Sequence, residues 1–193
     1  MDMIFATNNV GKLKEVKEIL KEFEIVSLTE AGIEHEVEED QDSFHGNASK
    51  KAREIYEISK VPTVADDSGL CIDSFDGWPG VYTARFLGEK STKEERNQAI
   101  LDRFSTSKCQ DRTARVICYL VYYDGEVEIV GIGELVGKIA HQARGKNGFG
   151  FDDIFELENG KTLAELSSEE KNEVSARYLA TLDLKQKLKV LRK

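Results

Sequence analysis

The sequence predicts an α/β protein, a mixed and partly antiparallel sheet flanked by helices. Two observations predict it. The apolar run 3–7 is followed by an amphipathic stretch and then by a second apolar run, 25–28, the strand–helix–strand order of a right-handed crossover. Residues 115–123 are rich in β-branched and aromatic side chains, turn at Asp124-Gly125 and return through 126–132, the pattern of a hairpin.

The elements follow in order. Leu13, Val16, Leu20 and Phe23 recur at helical spacing, predicting a helix from about Gly11 to Phe23 with Lys14 and Glu18 on its solvated face. Glu34 to Asp42 reads as an acidic loop. Ser43 is suited to cap a helix running to about Lys60, which Pro62 ends. Thr63-Val64-Ala65 reads as a short buried strand leading into Asp66-Asp67-Ser68-Gly69, which is also good turn chemistry. Leu70 to Phe75 alternates weakly up to the turn signal Asp76-Gly77. A helix is predicted over 92–104, a strand over 153–157, a turn at Glu158-Asn159-Gly160 and a last helix from about Ser168 to Leu191.

The 193 residues suit one domain, and neither a repeat nor a linker interrupts them. Hydrophobic residues at 40% are too many for a disordered chain. With 27 Lys+Arg against 36 Asp+Glu, the net charge of −9 repels nucleic-acid polymers, while a pocket can still gather cations around a small anion. No apolar run approaches the roughly 20 residues of a membrane span. The opening MDMIFATNN has neither the basic nor the long apolar region of a secretory signal, so a cytoplasmic protein is expected. Cys71, Cys109 and Cys118 form no C-x-x-C pair and read as reduced, buried thiols.

Five segments carry chemistry. Thr7-Asn8-Asn9-Val10-Gly11-Lys12 lies at a strand-to-helix junction, where free amides and the helix dipole favour a phosphate; an ordinary capped helix is the equal alternative. Glu38-Glu39-Asp40 precedes a helix that places Asn47 and Lys51 one turn apart on one face. An acid from the loop and a Lys from the helix can then meet one ligand, and Mg²⁺ takes only one or two protein carboxylates; taken alone, a solvated acidic loop beside a solvated basic helix is the stronger alternative. Asp66 and Asp67 follow a buried strand and point to opposite faces if the chain stays extended, so that one holds a metal or a structural N–H and the other meets a substrate water. Gly148-Phe149-Gly150-Phe151-Asp152-Asp153 brackets aromatic rings with glycines beside a carboxylate, as suits stacking on a planar base; on composition alone a Gly-rich connector with core phenylalanines is the stronger alternative. Lys171 and Ser175-Ala176-Arg177, at and inside the last helix, offer cations to phosphate or base oxygens; in isolation a charged helix face is the stronger alternative.

Taken in order, these segments resemble the inosine-triphosphate pyrophosphatase family, and the overlap with archaeal members is close. The resemblance runs through residues 6–12, Asn47-Ala48 with Lys51-Ala52, residues 65–70, Gly77-Trp78-Pro79-Gly80-Val81-Tyr82-Thr83-Ala84-Arg85-Phe86 and residues 148–152. It implies hydrolysis of non-standard purine nucleoside triphosphates to the monophosphate and pyrophosphate, with Mg²⁺ or Mn²⁺. It also implies an elongated mixed sheet in one domain of two lobes with a groove between them, and a homodimer.

Residue by residue, the resemblance makes Thr7, Asn8, Asn9, Val10, Gly11 and Lys12 the phosphate cradle, Glu39 a metal ligand and Lys51 a phosphate-binding Lys. Asp67 becomes proton acceptor and metal partner with Asp66 beside it, and Ser68 touches the substrate. Phe149, Gly150, Phe151 and Asp152 become the base pocket, completed by Lys171, Ser175, Ala176 and Arg177. The family commonly has Ser-His-Arg where this chain has Ser175-Ala176-Arg177, and a Pro where Asp153 stands. A nucleotide-binding module without catalysis is the rival reading, disfavoured because carboxylates beside phosphates weaken binding unless a metal is used.

Overall fold

The computed structural model describes residues 2–88 and 90–191. Its elements are β1 (Asp2–Phe5), α1 (Val10–Ile19), β2 (Glu24–Ser27), α2 (Phe44–Ser59), β3 (Thr63–Ile72), α3 (Lys93–Thr106), β4 (Thr113–Tyr123), β5 (Glu128–Ile139), β6 (Phe155–Glu156), α4 (Ser168–Val174) and α5 (Ala176–Leu191). The strands form one sheet in the order β2-β1-β3-β4-β5-β6. β1 runs parallel to both β2 and β3, and β6 is antiparallel to β5, so the sheet is mixed as the sequence predicts.

The chain divides into two compact units. The first holds the residues up to Ser68, Cys118–Glu134 and those from Ser175 onward; the second holds Gly69–Ile117 and Leu135–Val174. In the first unit, Ala48 and Ala52 of α2 pack with Ala65 and Val121, and Ile55 packs with Ile4 and Leu28. These small side chains at helical spacing let α2 lie close on β1 and β3. The second unit is built around aromatic rings. Phe75 lies 4.6 Å from Phe104 and 6.2 Å from Trp78, and Trp78 lies 4.8 Å from Phe86. The Arg103 guanidinium covers both the Phe75 and Trp78 rings.

Several boundaries differ from the sequence reading, for identifiable reasons. α1 stops at Ile19, because the Leu20 amide still reaches Val16 O while Leu20 itself has left helical geometry. Asp66 to Gly69 do not turn. They continue β3 as a ten-residue strand: the register with β1 runs to Val64, and past it β4 is the neighbour left to take the strand's backbone groups. β5 extends seven residues beyond Ile132 to Ile139, whereas the strand predicted over 153–157 shrinks to Phe155–Glu156. The last helix is two: Ser175 interrupts it, and its Oγ accepts from the Tyr178 amide at 3.0 Å, capping α5. Of the cysteines only Cys118 is buried; Cys71 and Cys109 are half-buried. Among the described residues no helix is long and apolar enough to cross a membrane.

Candidate active site

β3 organises the candidate site because it is extended where its two carboxylates stand. Alternation sends Asp66 and Asp67 to opposite faces. Asp66 meets α1 and α5: Lys12 Nζ lies 2.9 Å from its Oδ2, and Arg177 Nε and Nη2 each lie 3.1 Å from the same oxygen. Asp67 meets α2, where Asn47 Nδ2 donates to its Oδ2 at 2.9 Å, while Oδ1 accepts from the Ser68 amide at 2.9 Å. Asn47 cannot turn its amide round, because its own Oδ1 accepts from the Gln41 amide at 3.0 Å. One turn on, Lys51 Nζ donates to Glu39 Oε1 at 2.7 Å. The helical spacing of Asn47 and Lys51 thus does what the sequence suggests, with the acid supplied by the loop before α2.

The two carboxylates are tuned in opposite directions. Burial would raise Asp66, but the charges of Lys12, Arg177 and Lys51 outweigh it and hold the carboxyl well below the usual range. Burial dominates at Asp67, and the charges of Glu39 and Asp66 add to it. Lys51 and the Asn47 hydrogen bond oppose the rise without cancelling it, leaving the carboxyl at about 6 rather than 3.8. Burial also works against the charged form of Lys51, yet Asp66, Glu39 and Asp67 together raise its pKa, so it remains a cation. The two neighbouring carboxylates thus sit in environments that drive their pKa values apart, an arrangement that acid–base sites use and that buried ion-pair networks also produce.

Arg177 is held from its other side as well. Its Nη1 lies 3.1 Å from Glu15 Oε2, and Ser175 Oγ donates to Glu15 Oε1. Burial alone would lower the pKa of Arg177, but Asp66, Cys118 and Glu15 raise it. Glu15 is the member that the sequence reading misses, and Asn47, which that reading places on the right face, has no role assigned by it. The signal for Glu15 is a carboxylate inside the buried stripe of α1, one turn before Ile19. The structure places Ser175 and Arg177 on Glu15 and Asp66, and Arg177 Nη2 also approaches Ser68 Oγ at 3.4 Å. Ala176 is buried at the start of α5.

The junction before α1 is a capped helix start. Asn9 Oδ1 accepts from the amides of Gly11 and Lys12, Thr7 Oγ1 accepts from the Asn9 amide, and Asn8 Oδ1 accepts from Thr29. Val10 is exposed. A phosphate arriving here meets amides already engaged by side chains, and a Lys12 already paired with Asp66.

Four carboxyl groups, Glu15, Glu39, Asp66 and Asp67, face three cationic side chains, Lys12, Lys51 and Arg177. Burial is the larger cause of the raised Asp67 carboxyl, and the surplus negative charge of Glu39 and Asp66 adds to it. Among the described residues no three His, Cys, Asp or Glu side chains converge on one point as a ready metal cage. Glu39 and Asp67 both lie by Lys51 and act on each other electrostatically, so this place offers two carboxylates. That fits a hard divalent ion that keeps most of its waters, and it does not fit a cation caged wholly by protein.

Phe149, Gly150, Phe151, Asp152 and Lys171 form a second cluster within the second unit. Buried Asp152 is its hub. Its Oδ2 accepts from the Phe149 amide and from Lys171 Nζ, each at 2.6 Å. Lys171 Nζ stands 4.2 Å from the centre of the Phe149 ring, which is 46% exposed. Gly148 is required here: its φ is +76°, and a Cβ would lie 2.1 Å from Asp152 Oδ2. Phe151 turns inward, 6.3 Å from Phe155. An aromatic ring open to stacking thus stands beside a carboxylate and an ammonium.

The Ham1 family model matches residues 3–187. The dITP/XTP pyrophosphatase of Clostridium perfringens is 43% identical over 196 aligned positions, covering 96% of both chains. That of Bacillus subtilis is 41% identical, covering 91% of both. Among solved structures, a HAM1 protein from Coxiella burnetii superposes with a TM-score of 0.90 at 34% identity, covering 100% of this chain and 98% of its own. A nucleoside-triphosphatase / dITP/XTP pyrophosphatase from Mycobacterium abscessus superposes at 0.77 with 35% identity, covering 99% and 98%.

Proposed function

This chain belongs to the Ham1 family, and we propose that it hydrolyses the triphosphates of inosine, deoxyinosine and xanthosine to the monophosphate and pyrophosphate, clearing them from the nucleotide pool. The observation that carries the reading is the oppositely tuned pair on β3, Asp66 held ionised by Lys12 and Arg177, and Asp67 poised near neutrality.

The chemistry follows from those residues. Asp67, the β3 carboxylate with no Lys or Arg hydrogen-bonded to it among the described contacts, takes a proton from a water as its oxygen bonds to the α-phosphorus. The bond from the α-phosphorus to the bridging oxygen breaks, and pyrophosphate leaves with that oxygen. Lys51 and Lys12 offset the triphosphate charge, which the acidic protein as a whole repels. Glu39 and Asp67 hold a divalent cation, Mg²⁺ or Mn²⁺, which when bound supplies charge neutralisation and polarises phosphate oxygens. The loop 148–152 takes the base, with Phe149 stacking on the purine and its amides and Lys171 meeting the 6-keto edge. Adenine brings an amino group to that edge and leaves those donors unpaired, which disfavours it. We place the enzyme in the cytoplasm as a homodimer that acts on free nucleotides, without nucleic-acid or membrane partners.

The test is hydrolysis in ¹⁸O-water. The reading predicts label in the monophosphate and none in pyrophosphate; label in released phosphate or pyrophosphate overturns it.

A further inference from the structure

Asn97 lies on α3, a helix that the chemistry above leaves unused, yet it is only 5% exposed. Its Nδ2 donates to the Gly150 carbonyl oxygen at 2.9 Å and to Asp153 Oδ1 at 2.6 Å. The other Asp153 oxygen pairs with Lys93 Nζ at 2.9 Å. Lys93 and Asn97 are one turn apart, so α3 grips the loop through both. The grip falls just beyond Phe149, whose own amide is fixed by Asp152. The loop therefore has an inner anchor, Asp152 with Lys171, and an outer one, Asn97 with Asp153 and Lys93. Without the outer anchor the nucleotide must order the loop as it binds, a cost that appears in KM rather than in the chemical step.

We propose that Asn97, held by Asp153 and Lys93, is a positioning residue that sets purine binding by fixing the Phe149–Asp152 loop. This rests on the reading of that loop as the base site.

The test is steady-state kinetics on inosine triphosphate, with circular dichroism to check the fold. Asn97→Asp keeps the shape but turns the donor into an acceptor facing a carbonyl and a carboxylate; KM is expected to rise about tenfold with kcat within about twofold. Asp153→Asn keeps an acceptor for Asn97 but frees Lys93, so a rise of about threefold is expected. In Asn97→Asp with Asp153→Asn the bond to residue 153 returns with its direction reversed while the Gly150 carbonyl still lacks its donor, so KM should fall only part of the way back to the parent value. A merely structural role predicts instead a loss of kcat and of thermal stability with KM unmoved, and that result overturns the proposal. Phe149→Ala separates the two levels. If it leaves KM unchanged, the base reading fails and the proposal with it. If it raises KM while Asn97→Asp and Asp153→Asn do not, the base site stands and the role of Asn97 is wrong. Should Asn97→Asp fail to fold, Lys93→Met and Asp153→Asn decide: an unchanged KM in both overturns the proposal.

Discussion

Replacing Asp67 by asparagine should make the metal-free protein more stable at neutral pH while abolishing turnover. The folded carboxyl sits at about 6 against an ordinary 3.8. Below pH 4 the group is protonated in both folded and unfolded chains and costs nothing. Between pH 4 and 6 the unfolded chain ionises first, so stability falls. Above pH 6 the full gap of about 2 pK units, about 3 kcal/mol, weighs against the fold. The substituted amide carries no charge and escapes that cost. It loses something in return. Asn47 Nδ2 and the Ser68 amide both donate to Asp67, and a single amide oxygen can satisfy only one of them, a loss of about 1 kcal/mol. The variant should therefore be about 1 kcal/mol less stable than the parent near pH 4 and about 2 kcal/mol more stable at pH 7–8. Urea unfolding in EDTA across pH 4–8 measures this. A stability difference that does not change with pH would refute the assignment of the buried surplus charge to Asp67. Added Mg²⁺ should then stabilise the parent more than the variant.

Three further outcomes follow. Arg177→Met strands Asp66 and Glu15 as buried charges without their shared partner, so urea unfolding should show a loss of about 3–5 kcal/mol. Lys51→Met removes the cation beside Glu39 and should lower kcat by about 10²–10³-fold with the dichroism spectrum unchanged; activity within a few-fold of the parent would remove Lys51 from the mechanism. Asn47→Ala deletes a hydrogen bond that lowers the Asp67 pKa, so the carboxyl resonance of Asp67 in metal-free protein should titrate at a higher pH than in the parent.

The sequence makes local features legible and leaves long-range partners illegible. Ser43 as the cap of α2, the helix predicted over 92–104 and the hairpin at Asp124-Gly125 depend on neighbours within a few residues, and they appear in the structure. Asn47 and Lys51 share a face because helix geometry alone puts them there. Asp66-Asp67-Ser68-Gly69 reads as turn or strand, since the neighbour that decides it, β4, lies some fifty residues on in the sequence. Glu15 and Asn97 look like ordinary helix residues until Arg177, 162 positions on, and Gly150, 53 positions on, fold against them. The polar spacing at Thr7–Lys12 suggests open amides, but Asn9 occupies two of them.

The central claim is the bond that breaks and the base that is chosen. Purified protein with Mg²⁺ should be given the triphosphates of inosine, xanthosine, guanosine and adenosine, with products separated by chromatography. The account predicts monophosphate and pyrophosphate from inosine and xanthosine triphosphates, and little from the adenosine compound. Diphosphate with phosphate, or equal turnover of all four, would contradict it.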